Sequence, residues 1–397
     1  MKANLSQNES LNDLIIDENI SDKIIQDFSN LDLTNEKDKK IAELSKRGYQ
    51  LLKEDDIEGA KKSFEAILKV DENNNYALVG LGDTKRKEND ISQAMQYYNK
   101  CLECFPSNNY ALFGLADCYK ATGQFKKAID IWQKYLAQDD KNITVITRVA
   151  DAYRKNRDFK KSKEYYNQVL NIEPNNAYAL IGLGHLNYDF KEYKESLYYL
   201  TKVLESNSKE TVDIRVLTSI GNCHRKIKTF AQGIIYFLMA LEREPQNFYA
   251  LYGLADCYRG LNLPEKSIIY WNRILEIDPN NKVILTRAGD AYRTLGQLDT
   301  AKFYYNKALE IDSDIYAEIG LAFVCKAEGN YEDAIKKFKK LIESDSRNLR
   351  LWVDLANCYA EINKKEEAEK VLTDFLKLEP KNLVAKNALG KIKNAKI

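Results

Sequence analysis

Residues with the chemistry for catalysis are few in this chain of 397 residues. Its two histidines are His185 and His224, and no nucleophile or set of metal ligands accompanies either of them in the sequence. A histidine needs such partners to act as a general base or to hold a metal ion. The sequence therefore argues against an enzyme, and we expect no catalytic site, no metal site and no cofactor.

The cysteines do not supply an alternative chemistry. Cys101 and Cys104 form a lone Cys-x-x-Cys pair, whereas a zinc site of this kind has a second pair and a thioredoxin-like site follows a strand. The total of seven cysteines is odd and the residues are scattered, so no disulfide framework is implied. This cysteine usage and the lack of a signal-peptide pattern after Met1 favour a reducing cytoplasm.

Composition excludes several classes of partner. The chain has 44% hydrophobic and 30% charged residues, as a soluble folded protein does, and its net charge is +1. No stretch approaches the roughly 18 apolar residues of a membrane span. Acids are interleaved with the many lysines and arginines, so we expect neither nucleic-acid binding nor membrane insertion. The abundance of Lys, Asn, Ile and Tyr suits an AT-rich bacterial genome.

A sequence unit of about 34 residues is repeated ten times along the chain. These repeats form the framework on which any functional side chains must lie. Position 1 of the ten units falls at Ile41, Asn75, Asn109, Ile143, Ala177, Ile214, Phe248, Lys282, Ile315 and Leu349. Five of the six prolines then occupy position 32, namely Pro106, Pro174, Pro245, Pro279 and Pro380. Self-similarity at this period indicates a solenoid of stacked helical units, which is typical of proteins that hold other molecules.

Each unit reads as two helices that pack closely. Positions 8 and 20 are small in all ten units, and position 24 is bulky, from Phe64 to Leu372. Position 10 carries Cys118, Cys223, Cys257 and Cys358, which we interpret as small packing residues. Position 15 is often Gly or Asn, residues that tolerate the left-handed turn at the end of a helix: Asn89, Gly123, Asn262, Gly296, Gly329 and Asn363. No segment alternates with period two, so no strands are expected.

These residues resemble those of the tetratricopeptide repeat family. Good matches to its signature are Gly114-Leu115-Ala116-Asp117-Cys118-Tyr119 and the segment from Gly253 to Tyr258, although the family's Trp at position 4 occurs only as Trp352. The resemblance covers residues 41–382. It implies an all-α, right-handed superhelical solenoid of about ten tetratricopeptide helix-turn-helix repeats, with a concave groove lined by the first helices.

The resemblance places positions 2, 5, 6, 9, 12 and 13 on the concave side, and this gives the candidate partner-binding residues. Position 2 offers Tyr76, Tyr110, Tyr178, Tyr249 and Tyr316. Position 9 offers Asp83, Asp117, Asp151, Asp256 and Asp290, with His185. Position 12 is mostly basic: Arg86, Lys120, Arg154, Arg225, Arg259, Arg293 and Lys326. Arg148 and Arg287 stand at position 6, where Gly is usual, and are the extra cations that we expect to matter most.

Two interpretations of this groove remain open. Asp and Arg three residues apart share a helix face, so they can form a ladder of ion pairs with little net effect on stability. Alternatively, the tyrosines and arginines form a polar channel in which Arg binds carboxylates or carbonyls of a peptide or helix. The chain lacks the Lys-Asn, Asn and Lys-Arg pattern of the family's chaperone-binding branch, so recognition of chaperone tails is disfavoured.

A block of four repeats is duplicated at a distance of 139 residues. Asp117 corresponds to Asp256, Asp151 to Asp290, and Tyr110–Tyr119 nearly repeats as Tyr249–Tyr258. The duplication predicts two similar sites. An insertion of three residues lies around 206–212.

The two ends differ from the repeats. Residues 1–40 read as an acidic amphipathic helical segment, with eight acids and two lysines in residues 1–36. It could cap the first repeat, dock onto a partner or lie in the chain's own groove as an autoinhibitor. Residues 383–397 are expected to form a C-terminal capping helix.

The sequence thus favours a cytoplasmic, non-catalytic scaffold or adaptor that binds a protein or peptide in its groove. The alternative is a structural component of a larger motility, secretion or division assembly, which would self-associate or bind through its outer surface.

Overall fold

The computed structural model describes residues 36–206 and 213–394, which fall into two compact units with the boundary after Ser206. The described residues form helices and no strand. The first unit contains α1 (Glu36–Lys53), α2 (Ile57–Leu68), α3 (Asn75–Lys87), α4 (Ile91–Cys104), α5 (Asn109–Ala121), α6 (Phe125–Leu136), α7 (Ile143–Lys155), α8 (Phe159–Ile172), α9 (Ala177–Asp189) and α10 (Tyr193–Ser206). The second contains α11 (Ile214–Lys226), α12 (Phe230–Arg243), α13 (Phe248–Gly260), α14 (Pro264–Ile277), α15 (Lys282–Thr294), α16 (Leu298–Ile311), α17 (Ile315–Ala327), α18 (Tyr331–Ser344), α19 (Leu349–Glu361), α20 (Lys365–Leu378) and α21 (Leu383–Asn394).

The helices follow the sequence repeat. The first helix of every repeat from the second to the tenth begins at position 1, from Asn75 to Leu349. The first repeat differs, because α1 begins at Glu36 and so takes in the end of the acidic segment assigned to residues 1–40. The rest of that segment, residues 207–212 of the insertion assigned to 206–212, and the last three residues lie outside the described residues. The expected C-terminal helix is α21, which runs to Asn394.

A reciprocal asparagine cap opens five of the ten first helices and the C-terminal helix α21, and our sequence reasoning overlooked it. At α13, the Asn247 side-chain oxygen accepts a hydrogen bond from the Ala250 N–H at 3.0 Å, while its amide donates to Glu244 at 2.7 Å. The same pair of bonds forms at Asn74, Asn142, Asn176, Asn281 and Asn382. Because the first N–H groups of a helix lack intrahelical partners, this cap fixes where the first helix begins in the repeats that carry it.

The turn between the two helices of each repeat is left-handed at position 15, as predicted for Gly and Asn. All ten position-15 residues have positive φ. They are Asp55, Asn89, Gly123, Arg157, Lys191, Lys228, Asn262, Gly296, Gly329 and Asn363. The turn geometry is therefore kept even where Arg or Lys must adopt a conformation that is costly for them.

The core repeats as the sequence predicted. All ten bulky side chains at position 24 are fully buried, and each cysteine at position 10 is buried too. The Phe237 ring lies between position 8 of its own repeat and position 6 of the next: a Cβ added at Gly221 or Gly253 would lie 2.8 or 2.1 Å from that ring. Small residues at these positions thus let the first helices close over the ring. None of the helices in the described ranges is long and apolar enough to cross a membrane.

Candidate partner-binding face

The first helices of successive repeats pack side by side within each unit, for example α3 with α5 and α11 with α13. Equivalent side chains from neighbouring repeats therefore lie on one surface. We call this surface the first-helix face, made of positions 2, 5, 6, 9, 12 and 13 of the first helices in a unit. It carries every candidate residue taken from the sequence.

In the first unit, Asp117 joins three successive first helices. Its Oδ2 accepts a hydrogen bond from Arg86 Nη1 at 3.1 Å, and its Oδ1 accepts one from Arg148 Nη1 at 2.8 Å. The Arg148 guanidinium also lies 4.7 Å from the centroid of the Phe113 ring. Arg148 is only 4% exposed, so it presents little surface to a partner.

Three other position-9 carboxylates are braced by buried tyrosines. The hydroxyl groups of Tyr98 and Tyr305 donate to Asp83 and Asp290 at 2.6 and 2.8 Å, and Tyr166 donates to Asp151 in the same way. Burial, followed by the adjoining carboxylate, raises the pKa of the Tyr98 and Tyr166 hydroxyls well above the ordinary value. These hydroxyls therefore remain protonated donors, and the carboxylates serve the packing of the repeat.

Arg154 pairs across to a residue that the sequence reasoning did not select. Its Nη1 donates to Asp189 Oδ2 at 2.8 Å, where Asp189 occupies position 13 of the next first helix. The sequence could have indicated this pair, because Asp189 directly follows position 12, where most repeats have a basic residue. The predicted ladder of ion pairs is thus present on the first-helix face of the first unit.

In the second unit, Asp256 is held by two arginines. Arg225 Nη1 donates to Oδ2 at 2.7 Å and Arg259 Nε donates to Oδ1 at 2.8 Å. Burial alone would raise the pKa of Asp256, but the hydrogen bonds and charges of Arg225 and Arg259 outweigh it and hold the pKa below the ordinary value. Both oxygens of this carboxylate are therefore occupied by groups of the protein.

Arg287, which corresponds to Arg148, has a different environment. Its side chain is partly buried, and its guanidinium makes no hydrogen bond or ion pair with any residue in 36–206 or 213–394. Nearby on the same helix, Arg293 Nε lies 3.3 Å from the Tyr305 hydroxyl, and its guanidinium carbon lies 5.3 Å from the Phe323 ring centroid. Arg148 and Arg287, which the sequence analysis treated alike, thus differ in their hydrogen bonds: Arg148 binds Asp117, and Arg287 binds no residue in the described ranges.

The position-2 tyrosines divide into exposed and packed members. Tyr178, Tyr249 and Tyr316 are 62%, 38% and 71% exposed. Tyr76 and Tyr110 are partly buried against the core of the first repeats. His185 and Lys120 are also partly buried. The exposed tyrosines are therefore the candidates that offer the largest contact area.

The described residues contain no cluster of three or more His, Cys, Asp or Glu side chains that could hold a metal ion. Within the Cys-x-x-Cys pair, Cys101 is buried and Cys104 is exposed. The His224 Nδ1 atom lies 2.8 Å from Thr229 Oγ1 at the end of its own helix, and its ring stacks on Tyr236. These residues have local structural partners.

Comparison with known proteins agrees with the architecture. Models of the tetratricopeptide repeat match residues 46–109, 85–147, 143–176, 230–282, 284–315 and 326–392. The chain belongs to the tetratricopeptide repeat family. No protein of curated function matches the sequence.

Solved structures with a similar fold include a tetratricopeptide repeat protein from Parabacteroides merdae. It is 15% identical, with a TM-score of 0.50 over 62% of this chain and 96% of that one. PilF from Pseudomonas aeruginosa is 16% identical, with a TM-score of 0.47 over 54% of this chain and 97% of its own. Yeast Tom70 is 14% identical, with a TM-score of 0.40 over 90% of this chain and 96% of its own.

Proposed function

We propose that this chain is a non-catalytic scaffold that binds a protein or peptide partner on its first-helix face. The observation that carries the proposal is the recurrence of exposed tyrosine at position 2, in Tyr178, Tyr249 and Tyr316. Tyr178 lies in the first unit, and Tyr249 and Tyr316 lie in the second. Large exposed aromatic side chains at the same repeat position in both units favour a binding role for the first-helix face of each. Tyrosine supplies contact area at low entropic cost and keeps a hydroxyl for hydrogen bonding.

Polar groups beside these tyrosines suit recognition of a peptide. Arg259, on the same helix as Tyr249, has a side chain that is 49% exposed even while it pairs with Asp256. Such arginines can bind backbone carbonyls or carboxylates of an extended segment or a helix. Packing of the repeats fixes the spacing of these groups, so the face offers a preformed array.

The proposal is tested by placing a photo-crosslinking amino acid at Tyr249 in the full chain and identifying crosslinked proteins by mass spectrometry. The matched control carries the same amino acid at Ile269, which is 56% exposed on the second helix of the same repeat. Capture of a discrete partner from position 249 but not from 269 supports the first-helix face. Capture from 269 alone would refute it.

A second candidate function, a component of a larger assembly, is favoured by one feature of the second helices. In the second unit, position 22 carries exposed large apolar side chains in three consecutive repeats: Ile235, Ile269 and Phe303, which are 57%, 56% and 60% exposed. Tyr198, at the same position of the last repeat of the first unit, is 51% exposed. The same position is polar in the other six repeats: Lys62, Gln96, Asp130, Glu164, Lys336 and Lys370. A local apolar stripe of this kind is typical of a contact surface.

Sedimentation velocity distinguishes this second function. If the stripe mediates assembly, the chain self-associates with increasing concentration, and the combined change of Ile235, Ile269 and Phe303 to Ser leaves a monomer. A wild-type chain that remains monomeric up to high concentration would count against assembly through this stripe.

A further inference from the structure

The outer surfaces of two second helices carry charges in a fixed order around the apolar stripe of Ile235, Ile269 and Phe303. In α14, Glu265 at position 18, Ile269 at position 22 and Arg273 at position 26 are four residues apart. Residues at this spacing lie on one face of a helix. The same order of acid, apolar residue and base recurs in α16, as Asp299, Phe303 and Lys307.

This order is specific to the seventh and eighth repeats. Two other repeats have a large apolar residue at position 22, but positions 18 and 26 are uncharged in α12 and are both lysine in α10. In α18, an acid and a base stand at positions 18 and 26, but position 22 between them is Lys336. In the remaining five second helices position 22 is polar. The combination thus marks one place in the chain.

Helices α14 and α16 present these faces side by side. Each second helix of the second unit packs against the first helix of its own repeat and the first helix of the next, so equivalent positions point the same way. The two helices also touch directly, because the Tyr304 hydroxyl of α16 donates to Asn272 Oδ1 of α14 at 3.3 Å. Their acids, apolar side chains and bases therefore form three parallel rows on one surface.

Most of these charges are not used within the chain. Glu265 and Asp299 are exposed, and neither they nor Lys307 forms an ion pair with any residue in 36–206 or 213–394. Arg273 donates from Nη2 to the Pro245 carbonyl at 2.6 Å. Since a guanidinium carries five N–H donors, Arg273 keeps others with which it can bind a carboxylate.

Each helix face is complementary to its own copy when the two helices lie antiparallel. If position 22 lies opposite position 22, then position 18 of one helix faces position 26 of the other. Glu265 thus faces Arg273 and Asp299 faces Lys307, twice each, while Ile269 and Phe303 meet their own copies. A parallel alignment would place every acid opposite the same acid, and like charges repel.

The other outer positions agree with the antiparallel alignment. Position 19 faces position 25, which is Asn in both helices. The acids at position 29 face the turn at position 15, which is Asn262 after α13 and Gly296 after α15. In the neighbouring α12, Glu242 at position 29 faces Lys228 at position 15. No like charges are opposed at these positions.

We propose that the apolar stripe of the second unit binds a second copy of the chain, in a two-fold symmetric dimer in which α14 and α16 pair antiparallel with their copies. This inference rests on the second candidate function and specifies its partner. A two-fold interface uses the same surface of both copies, so that surface must be complementary to itself. The apolar side chains lie at the centre of this interface and the charge pairs lie at its rim.

Sedimentation velocity of the full chain tests the pairing through charge reversal. Glu265→Arg or Arg273→Glu places like charges together at two symmetric points, so each should weaken dimerisation at least about tenfold. The double variant E265R/R273E restores both pairs with reversed signs and should dimerise within about threefold of the wild type. The matched control Glu58→Arg, the same change at exposed position 18 of the first repeat, should alter the affinity less than about twofold.

A mixture of the two single variants provides a second test. In a mixed dimer, one copy contributes two bases and the other contributes two acids, so opposite charges meet at both points. The mixture should form dimers at concentrations at which either variant alone is a monomer. Melting curves of each variant check its folding, because Arg273→Glu also removes the hydrogen bond to the Pro245 carbonyl. Glu265→Arg and its control give the test if that variant is unstable.

Other outcomes overturn the inference. Self-association that the combined change of Ile235, Ile269 and Phe303 abolishes, but that charge reversal neither weakens nor restores, would exclude the antiparallel pairing and leave the second candidate function intact. A monomeric wild type whose crosslinker at Ile269 captures another protein would assign the stripe to that partner. Crosslinks from Ile269 to residues 1–35 would assign it to the chain's own N-terminal segment.

Discussion

The ring of Phe237 packs directly against the backbone of Gly253 in the next repeat, and a Cβ at residue 253 would lie 2.1 Å from it. Phe237 is fully buried, so an added methyl group at residue 253 requires the ring or its neighbours in the core to shift. Contacts of this kind connect one repeat to the next in both units.

Replacing Gly253 with Ala should therefore destabilise the second unit. We expect a loss of about 1–3 kcal/mol, the usual cost of adding a methyl group to a filled core. Hydrogen exchange of peptides from α12 and α13, together with thermal unfolding followed by circular dichroism, measures the effect. The matched control is Gly390→Ala in α21, where no atom lies within 4 Å of the added Cβ. This control should be neutral or stabilising, because Ala favours a helix over Gly; equal destabilisation by both changes would contradict the packing argument.

Lys228→Gly should stabilise the protein. Lys228 has a φ of 63°, and a non-glycine residue in this left-handed region is disfavoured by about 1 kcal/mol. The reverse change, Gly296→Lys, places lysine at the equivalent φ of 75° with no neighbouring atom in the way. Opposite shifts in the melting temperature are expected. A fall in melting temperature for Lys228→Gly would show that the lysine side chain stabilises the turn.

The pairing of Asp256 predicts a pH dependence. Because Arg225 and Arg259 depress its pKa in the folded protein, the pair contributes stability that is complete above the unfolded-state pKa of about 3.9. That contribution is lost as the pH falls through the lower folded-state pKa. Asp256→Asn should thus reduce stability at pH 7 by about 2 kcal/mol and by less at pH 3.

Urea unfolding at the two pH values measures this difference. The exposed Asp299→Asn, in the first turn of α16, serves as the control and should cost less than about 1 kcal/mol at pH 7, because it removes only a solvent-exposed acid near the start of a helix. A loss for Asp256→Asn that is the same at pH 3 and pH 7 would show that the carboxylate charge is unimportant.

Thiol reactivity should be confined largely to Cys104. This residue is exposed, whereas burial raises the pKa of Cys101 and Cys257 to about 12 and that of Cys358 to about 11. Since the thiolate is the reactive form, we expect iodoacetamide at pH 8 to label Cys104 first and the buried cysteines only after unfolding. Peptide mass spectrometry reports the order of labelling. In Cys104→Ser, rapid labelling should disappear; its persistence at Cys101 would show that α4 opens readily.

The fold was largely predictable from the sequence because the same local constraints recur ten times. The small residues at positions 8 and 20 and the bulky residue at position 24 predicted the helix hairpins and their buried side chains. The Asn caps escaped prediction although Asn247 and its equivalents recur two residues after the prolines or at the matching position. The left-handed Lys228 also escaped, because lysine gives no signal of a positive φ and only the repeat register assigns it.

The candidate site was less predictable, because the hydrogen-bond partner of an arginine depends on which other side chains bind the same acceptor. Arg148 and Arg287 both follow a threonine and precede Asp-Ala-Tyr-Arg at positions 9 to 12, and both were expected to be extra cations of the groove. One repeat earlier, Lys120 of the first unit corresponds to Arg259 of the second, and Arg259 Nε donates to Asp256 Oδ1, whereas Arg148 donates to the Oδ1 atom of Asp117. Such competition is set by side-chain reach in three dimensions. Whether these residues contact a partner remains the prediction that the experiments above address.

The substantial helix contacts within each unit join helices that are adjacent in sequence or consecutive first helices. Each repeat therefore packs mainly against the repeat immediately before it and the repeat immediately after it. Copying a whole block of repeats creates only one new junction and leaves all other interfaces as they were. This tolerance allows the surface side chains of the two copies to diverge while the buried contacts between repeats stay the same.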